Sequence, residues 1–343
     1  MKKKILIFGS GSIGTHHANA AISLNCNVFI TDKEENQLIN MRENIYPSRY
    51  KKWNEEIKCL PYKSVFNLKD TFDLIIIGVP PNNHLKLLKK CIKKFKFKKV
   101  LVEKPLCVFS DDYNFLLKKD LKNKVFCGYN HSISKSYEFF LKNLKKLVKE
   151  KNHKLTVDIH WKESFDLVLK AHPWIKSISQ SYLSNFKKGG GVSHEYSHAI
   201  HLFLILKEIL FKNKKVKFEK KIKFLKKKRI NYDEFTYFSY FNKFIRLRLF
   251  ANSKNNPPIK KIVVKTDSIN LLEWTRKLEN GKEIVKTYLK PSQEKNFKIT
   301  RRDDFINELK LLLYKDNVKT KYLNLAYAIQ VNMLLKSIFK RYV

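Results

Sequence analysis

A chain of 343 residues, 43% hydrophobic and 13% aromatic, is long enough for a large core and two domains, which excludes a disordered polymer. Its formal net charge of +40 invites a nucleic-acid reading, but the excess is lysine, with only nine arginines available to read bases and phosphates bidentately. The lysines spread over Lys86 to Lys99, Leu141 to Lys154 and Lys212 to Arg229, as solvated helix faces do, so no nucleic-acid partner is expected.

No apolar stretch approaches the length of a membrane span, so no membrane partner is expected either. Met1 to Lys4 is basic, like the start of a signal peptide, yet the apolar segment behind it is short and breaks straight into glycines. Five cysteines, Cys26, Cys59, Cys91, Cys107 and Cys127, are scattered without C-x-x-C spacing, which reads as buried reduced thiols of a cytoplasmic protein.

Lys4 to Phe8 is an apolar run that predicts a buried first strand. Gly9-Ser10-Gly11-Ser12-Ile13-Gly14 follows, a G-x-G-x-x-G turn into a helix, and Val28 to Ile30 predicts a second strand ending at Thr31-Asp32. This strand, turn, helix and strand form the unit a dinucleotide site needs. Gly9 permits the tight turn, Gly11 leaves room for a pyrophosphate, and Gly14 lets the helix approach the strand. The helix N-terminus around Ser12 and Ile13 offers N–H groups and a positive dipole to the phosphates. Asp32 can accept hydrogen bonds from the adenosine ribose hydroxyls and would repel a 2′-phosphate, so the expected cofactor is NAD, while Lys33 beside it keeps NADP open. A chance glycine turn between strand and helix is the alternative.

A polar helix is predicted from Lys33 to Arg42 and a loop from Asn44 to Lys52. Leu74 to Val79 is a continuous apolar run, suited to a strand buried on both faces of a parallel sheet. Pro80-Pro81 ends it, and Asn82 or Asn83 can cap a helix through Lys94. Val100 to Val102 predicts a strand running into Glu103-Lys104-Pro105, Asp111 opens a helix to Leu121, and Val125 to Cys127 closes the sheet. Right-handed crossovers then give an α/β domain over residues 1–127, with a doubly wound parallel sheet.

The pattern changes after Gly128. Ile133, Tyr137, Leu141, Leu144 and Val148 recur at helical spacing, and Leu155 to Trp161 predicts a strand. A long irregular stretch to Gly191 precedes a helix through Leu210. Strands are predicted at Val216 to Phe224, Phe235 to Phe241, Phe244 to Phe250, Lys260 to Lys265 and Leu271 to Thr275, with Asn242-Lys243 as a hairpin turn. Helices from Asp303 to Tyr314 and Leu323 to Phe339 finish an α+β domain, residues 128–343, around a mostly antiparallel sheet.

Four segments in order, Gly9 to Gly14, Gly78-Val79-Pro80-Pro81-Asn82-Asn83-His84, Glu103-Lys104-Pro105-Leu106 and Gly189 to His198, make the chain resemble the glucose–fructose oxidoreductase / inositol dehydrogenase family (Gfo/Idh/MocA) over nearly its full length. The resemblance implies a Rossmann domain followed by an open-faced sheet domain, an active site between them, and a homodimer or homotetramer that often uses the open sheet face. Lys104, at the carboxyl end of a parallel strand, can hydrogen-bond a reacting hydroxyl and ease its developing negative charge. A histidine at the place of His198 acts in the family as general base, a role its pKa suits. Val79, Pro80, His84, Glu103 and Lys104 join the glycine turn and Asp32 as expected cofactor contacts.

For substrate, the expected contacts are Asn130, His172, Trp174, Glu195 and His194. His172-Pro173-Trp174 with Glu195-Tyr196-Ser197-His198 is similar to a subgroup from surface-polysaccharide and nonulosonate sugar pathways. Here Ala171, Ile175-Lys176, Ser193 and His194 depart from that subgroup's usual residues. His194, His198 and His201 share a helix face, and a metal there is the competing reading; the family chemistry needs none, and no metal is expected. The implied function is an NAD-dependent dehydrogenase that interconverts a secondary hydroxyl and a ketone on a sugar, sugar phosphate or nucleotide sugar. An imine or bilin reductase on the same fold and a catalytically silent NAD-binding regulator are the alternatives.

Overall fold

The computed structural model describes the chain except residues 151–153, 171–174, 176, 213, 278–279, 290, 315–320 and 341–343. The chain forms two compact units, Met1–Asn130 with Arg301–Asn332, and His131–Thr300 with Met333–Val343. Arg301–Asn332, which the sequence reading placed in the second domain, belongs to the first unit.

The first unit is built on a six-stranded parallel sheet: β1 (Lys4–Phe8), β2 (Asn27–Thr31), β3 (Ile57–Cys59), β4 (Thr71–Ile77), β5 (Lys96–Val102) and β6 (Val125–Cys127). Their order, β3-β2-β1-β4-β5-β6, is that of a doubly wound dinucleotide-binding sheet, with its switch point between β1 and β4. Ile5 to Ile7, Leu74 to Ile77 and Val100 to Val102 are all fully buried, so both faces of the central strands are covered. Around the sheet run α1 (Ser12–Ser23), α2 (Glu35–Asn40), α3 (Tyr46–Tyr50), α4 (His84–Lys94), α5 (Lys119–Lys122) and, from far along the chain, the helix Arg301–Tyr314.

Three expectations are corrected here. The predicted loop from Asn44 to Lys52 is helical as far as Tyr50, because α2 continues through a π turn at Met41–Ile45 into α3. Buried Met41, Ile45 and Tyr46 anchor that continuation, a short stripe masked by its charged neighbours. The helix predicted from Asp111 to Leu121 is a 3-10 turn, Asn114–Leu117, and the single turn of α5, separated by extended Lys118. Asn83 precedes α4 but makes no side-chain cap bond.

The second unit carries α6 (Lys135–Glu150), α7 (Phe165–Lys170), α8 (Val192–Glu195) and α9 (Ser197–Phe211). Its sheet has eight strands: β7 (Leu155–Lys162), β8 (Lys217–Lys227), β9 (Ile230–Phe241), β10 (Ile245–Asn252), β11 (Ile259–Lys265), β12 (Asn270–Lys277), β13 (Lys282–Thr287) and β14 (Gln293–Lys298). The order is β14-β13-β12-β11-β7-β10-β9-β8, antiparallel except for the β7–β10 pair. β13 and β14 escaped the sequence reading because their apolar residues are few: Ile284 and Val285 in β13 and Phe297 in β14. The run Lys212 to Arg229, grouped above with solvated helix faces, is largely the edge strand β8, in line with the strand predicted at Val216 to Phe224, and its lysines discourage pairing with another chain.

One row crosses this sheet at Val285, Trp274, Ile262, Ile159, Leu249 and Phe238, and all six are fully buried. Tyr137 of α6 packs on Trp274 and Phe203 of α9 on Phe238, so both helices cover that face. The next row, Lys286, Glu273, Val263, Asp158, Arg248 and Ser239, faces the other way. There Arg248 grips Asp158 with two hydrogen bonds of 2.7 and 2.9 Å. The chain ends with α10 (Arg301–Tyr314) and α11 (Leu325–Phe339). Among the described residues, no helix is long and apolar enough to cross a membrane.

Candidate active site

The glycine turn shows what each glycine does. Gly9 has φ +101°, and a Cβ there would lie 2.6 Å from the Gly78 carbonyl oxygen at the end of β4. A Cβ on Gly14 would strike the Gly9 carbonyl oxygen, so Gly14 makes room for the turn itself rather than for the strand. A Cβ on Gly11 would meet nothing within 4 Å; the space above it is open. Gly11 precedes α1 without any side-chain cap, which leaves the first N–H groups of the helix, around Ser12 and Ile13, available to a diphosphate. Asp32, at the end of β2, turns back to this loop: its carboxylate accepts from Ser10 N at 2.8 Å and Ser10 Oγ at 3.0 Å. These residues fit a dinucleotide.

Farther along the same sheet edge, β4 ends in Gly78-Val79-Pro80 and β5 ends in Glu103-Lys104-Pro105. His84 ties the two loops together. One ring nitrogen lies 2.7 Å from the Val79 carbonyl oxygen, the other 2.9 Å from that of Pro105, and the side chain is buried. Burial pushes its pKa down, and the two carbonyls work against that shift. His84 is thus placed as a clamp between the loops, with both nitrogens occupied by backbone, rather than as an open cofactor contact. The Lys104–Pro105 peptide is cis, and Lys104 is half-buried.

Glu103 points inward. Its Oε1 lies 2.5 Å from His17 Nε2 of α1, and its Oε2 accepts from the Lys104 backbone N–H at 3.3 Å. Burial works to raise the Glu103 pKa, but His17 and the Lys104 ammonium outweigh it and hold the carboxyl below its usual range. Gly128 is a glycine because a Cβ would come within 2.8 Å of that carboxylate. Glu308 of α10 completes the group: a ring nitrogen of His17 and one carboxylate oxygen each of Glu103 and Glu308 all lie within 4.8 Å of one another. Asn130, expected at the substrate, is buried beside this cluster.

In the second unit, α8 and α9 are nearly continuous, broken at Tyr196. His198 is 7% exposed on the first turn of α9, and its ring centroid lies 3.9 Å from that of His131, which also meets Trp161 at 5.4 Å. Glu195 accepts a 2.7 Å hydrogen bond from the buried Tyr182 hydroxyl. Burial, then the Glu195 charge, raises the Tyr182 pKa well above normal. His194 differs from expectation. It is fully buried, stacks on Phe339 at 4.9 Å, and sits 3.1 Å from the Gly190 carbonyl oxygen, so it packs the core instead of lining a substrate pocket. His172 and Trp174 lie outside the described residues.

Beneath this helix pair, Asp233 of β9 accepts from Ser193 N at 2.8 Å, Ser193 Oγ at 2.6 Å and Thr236 Oγ1 at 2.9 Å. It secures the N-terminus of α8. Burial pushes its pKa up to about 6 despite those donors. The sequence reading missed His17, His131, Asp233 and Glu308. For Glu308 a signal existed: Phe305, Glu308, Leu309 and Leu312 recur as one helix stripe, with a carboxylate where an apolar residue belongs.

Residues 3–131 match the Gfo/Idh/MocA family model, described as an oxidoreductase family with an NAD-binding Rossmann fold. The match covers the N-terminal domain, which has the NAD-binding Rossmann fold of that family. No curated protein matches the chain in sequence. Solved structures share the fold of the whole chain. An inositol dehydrogenase homolog from Azotobacter vinelandii, complexed with NAD+, has a TM-score of 0.68 at 13% identity, covering 98% of this chain and 94% of its own. A levoglucosan dehydrogenase in complex with NADH gives 0.70 at 11% identity, with 99% and 96% covered. The WlbA dehydrogenase from Bordetella pertussis, in complex with NADH and UDP-GlcNAcA, gives 0.63 at 13% identity, with 99% and 96% covered.

Proposed function

We propose that the chain is an NAD-dependent dehydrogenase that interconverts a secondary hydroxyl and a ketone on a sugar, sugar phosphate or nucleotide sugar, in the synthesis of a surface-glycan sugar. One observation carries the reading: the dinucleotide-binding sheet places an ammonium-bearing side chain, Lys104, at the carboxyl end of β5, on the same sheet edge as the glycine turn. Bound NAD supplies the hydride acceptor. Lys104 hydrogen-bonds the substrate oxygen and steadies charge developing on it. His198 takes the hydroxyl proton in oxidation and returns it in reduction. Burial of His198 against His131, itself packed on Trp161, keeps bulk water from competing for that proton.

The fold neighbours act on polyols and sugars by their names, and the one solved with a nucleotide sugar supports the activated-sugar end of the range. Lysine-rich surfaces suit an anionic substrate of that kind; a KM that ignores ionic strength would speak against it. We further propose assembly as a homodimer or homotetramer, which light scattering at micromolar concentration would reveal. The test of function is NADH formation with a panel of sugars and nucleotide sugars. Substrate-dependent absorbance that Lys104→Ala abolishes supports the reading, and an unchanged turnover in that variant rejects the site.

A further inference from the structure

The cluster below Lys104 contains more acid than its surroundings can ionise. Glu103 is 6% exposed and Glu308 is fully buried, and both lie within 4.8 Å of the same imidazole, His17. Glu103 takes the available donors: His17 at 2.5 Å and the Lys104 backbone N–H at 3.3 Å. Neither oxygen of Glu308 has a hydrogen-bond partner of normal geometry. Removing a lone carboxylate from water costs several kcal/mol, far more than a neutral carboxyl group.

The charged and titratable groups facing Glu308 come from every element around it. His17 projects from α1, Glu103 ends β5, Cys127 ends β6, and Asp304 and Arg301 share α10 with it, while Lys104 acts on Glu103. Burial raises its pKa most, the Glu103 and Asp304 charges add to that, and Arg301 with the Asn130 amide offsets only part. Phe305 packs edge-on to His17 at 4.8 Å and closes the cluster on the α10 side.

We propose that Glu308 is a buried carboxylic acid and a positioning residue: it sets the charge beneath Lys104, and NAD+ binding at these strand ends releases its proton whereas NADH binding does not. This rests on the dinucleotide reading above. The diphosphate belongs at α1 and the adenosine ribose toward Asp32 on the β2 side, which directs the nicotinamide half toward the ends of β4 and β5. The oxidised ring is a cation and the reduced ring is neutral, so the oxidised form favours a carboxylate below it. The step is the loss of one proton from the Glu308 carboxyl O–H to the buffer, with no electron transferred.

The test is calorimetric titration of the full-length protein with NAD+ and with NADH at pH 8, in two buffers of different ionisation heat. The wild type releases a fraction of a proton with NAD+ and none with NADH, so the ratio of the two affinities changes with pH by at most about tenfold per unit. E308Q binds both nucleotides with no proton released. E308M serves where the amide does not fold. A wild type that binds NAD+ without releasing a proton overturns the proposal by itself, as does E308Q with wild-type release. Failure of both nucleotides to bind rejects the dinucleotide reading instead. The acid is then read from the free protein: the Tm of E308Q relative to wild type should rise from pH 5 to pH 8, and a constant difference overturns it.

Discussion

Asp233 and Glu308 are both buried acids, one in each unit, and they are held in opposite ways. Asp233 collects three donors, from Ser193 N, Ser193 Oγ and Thr236 Oγ1, and its pKa rises only to about 6. Glu308 has only the Asn130 amide beside it and no hydrogen bond of normal geometry, and its pKa rises well above the ordinary carboxyl value. The comparison teaches that burial alone does not set the charge of an acid. The count of N–H and O–H groups aimed at it decides whether it serves as a charged anchor or a proton holder. The first unit places its holder under the strand ends that carry Lys104; the second uses its anchor to fix the helix pair that carries His198.

Substituting the proposed reacting group of each unit should give the largest effects. His198→Asn should cut kcat by about 10²–10⁴, the range of a lost general base. Lys104→Ala should cut it by about 10²–10³ as a lost oxyanion donor, with NAD+ still bound in calorimetry. Retained turnover in either variant would separate that unit from the chemistry.

Sharper contrasts come from the acids. As pH rises from about 4 to about 6, the raised pKa of Asp233 withdraws stability of order 3 kcal/mol, because the folded state holds the proton longer than the unfolded chain. The Tm of D233N relative to wild type should therefore climb through that window and level off above it. The corresponding climb for E308Q should begin above the ordinary glutamate range and continue to higher pH. Matching windows for the two variants would erase the distinction drawn between them. The smallest effect is expected at Asp32→Ala, which should relax the preference for NAD over NADP by about 1–2 kcal/mol, read as the ratio of the two dissociation constants.

The nucleotide half was legible in the sequence because its signals are local. Gly9, Gly11 and Gly14 act within one turn, and Asp32 closes on that turn through Ser10. Lys104 could be placed by its position after an apolar strand. His194 could not be separated from Glu195 and His198 by spacing alone: the break at Tyr196 puts His198 on a second helix, and only the packing of Phe339 on His194 shows which way is inward. Glu308 was legible as a carboxylate on an apolar helix stripe, but its partners were not. It is 205 positions from Glu103, brought there by a helix that folds back into the first unit, and no local pattern encodes that return. Asp233 likewise reaches Ser193 across 40 positions.

The claim most open to a single measurement is hydride transfer to NAD+. Purified wild-type protein, mixed with NAD+ and a panel of polyols, sugars and nucleotide sugars, should produce NADH absorbance with at least one of them, and K104A should do so at least about a hundredfold more slowly. Tight NAD+ binding with no NADH from any substrate, and no NADH oxidation by the corresponding ketones, would make the molecule a nucleotide-binding protein without redox chemistry.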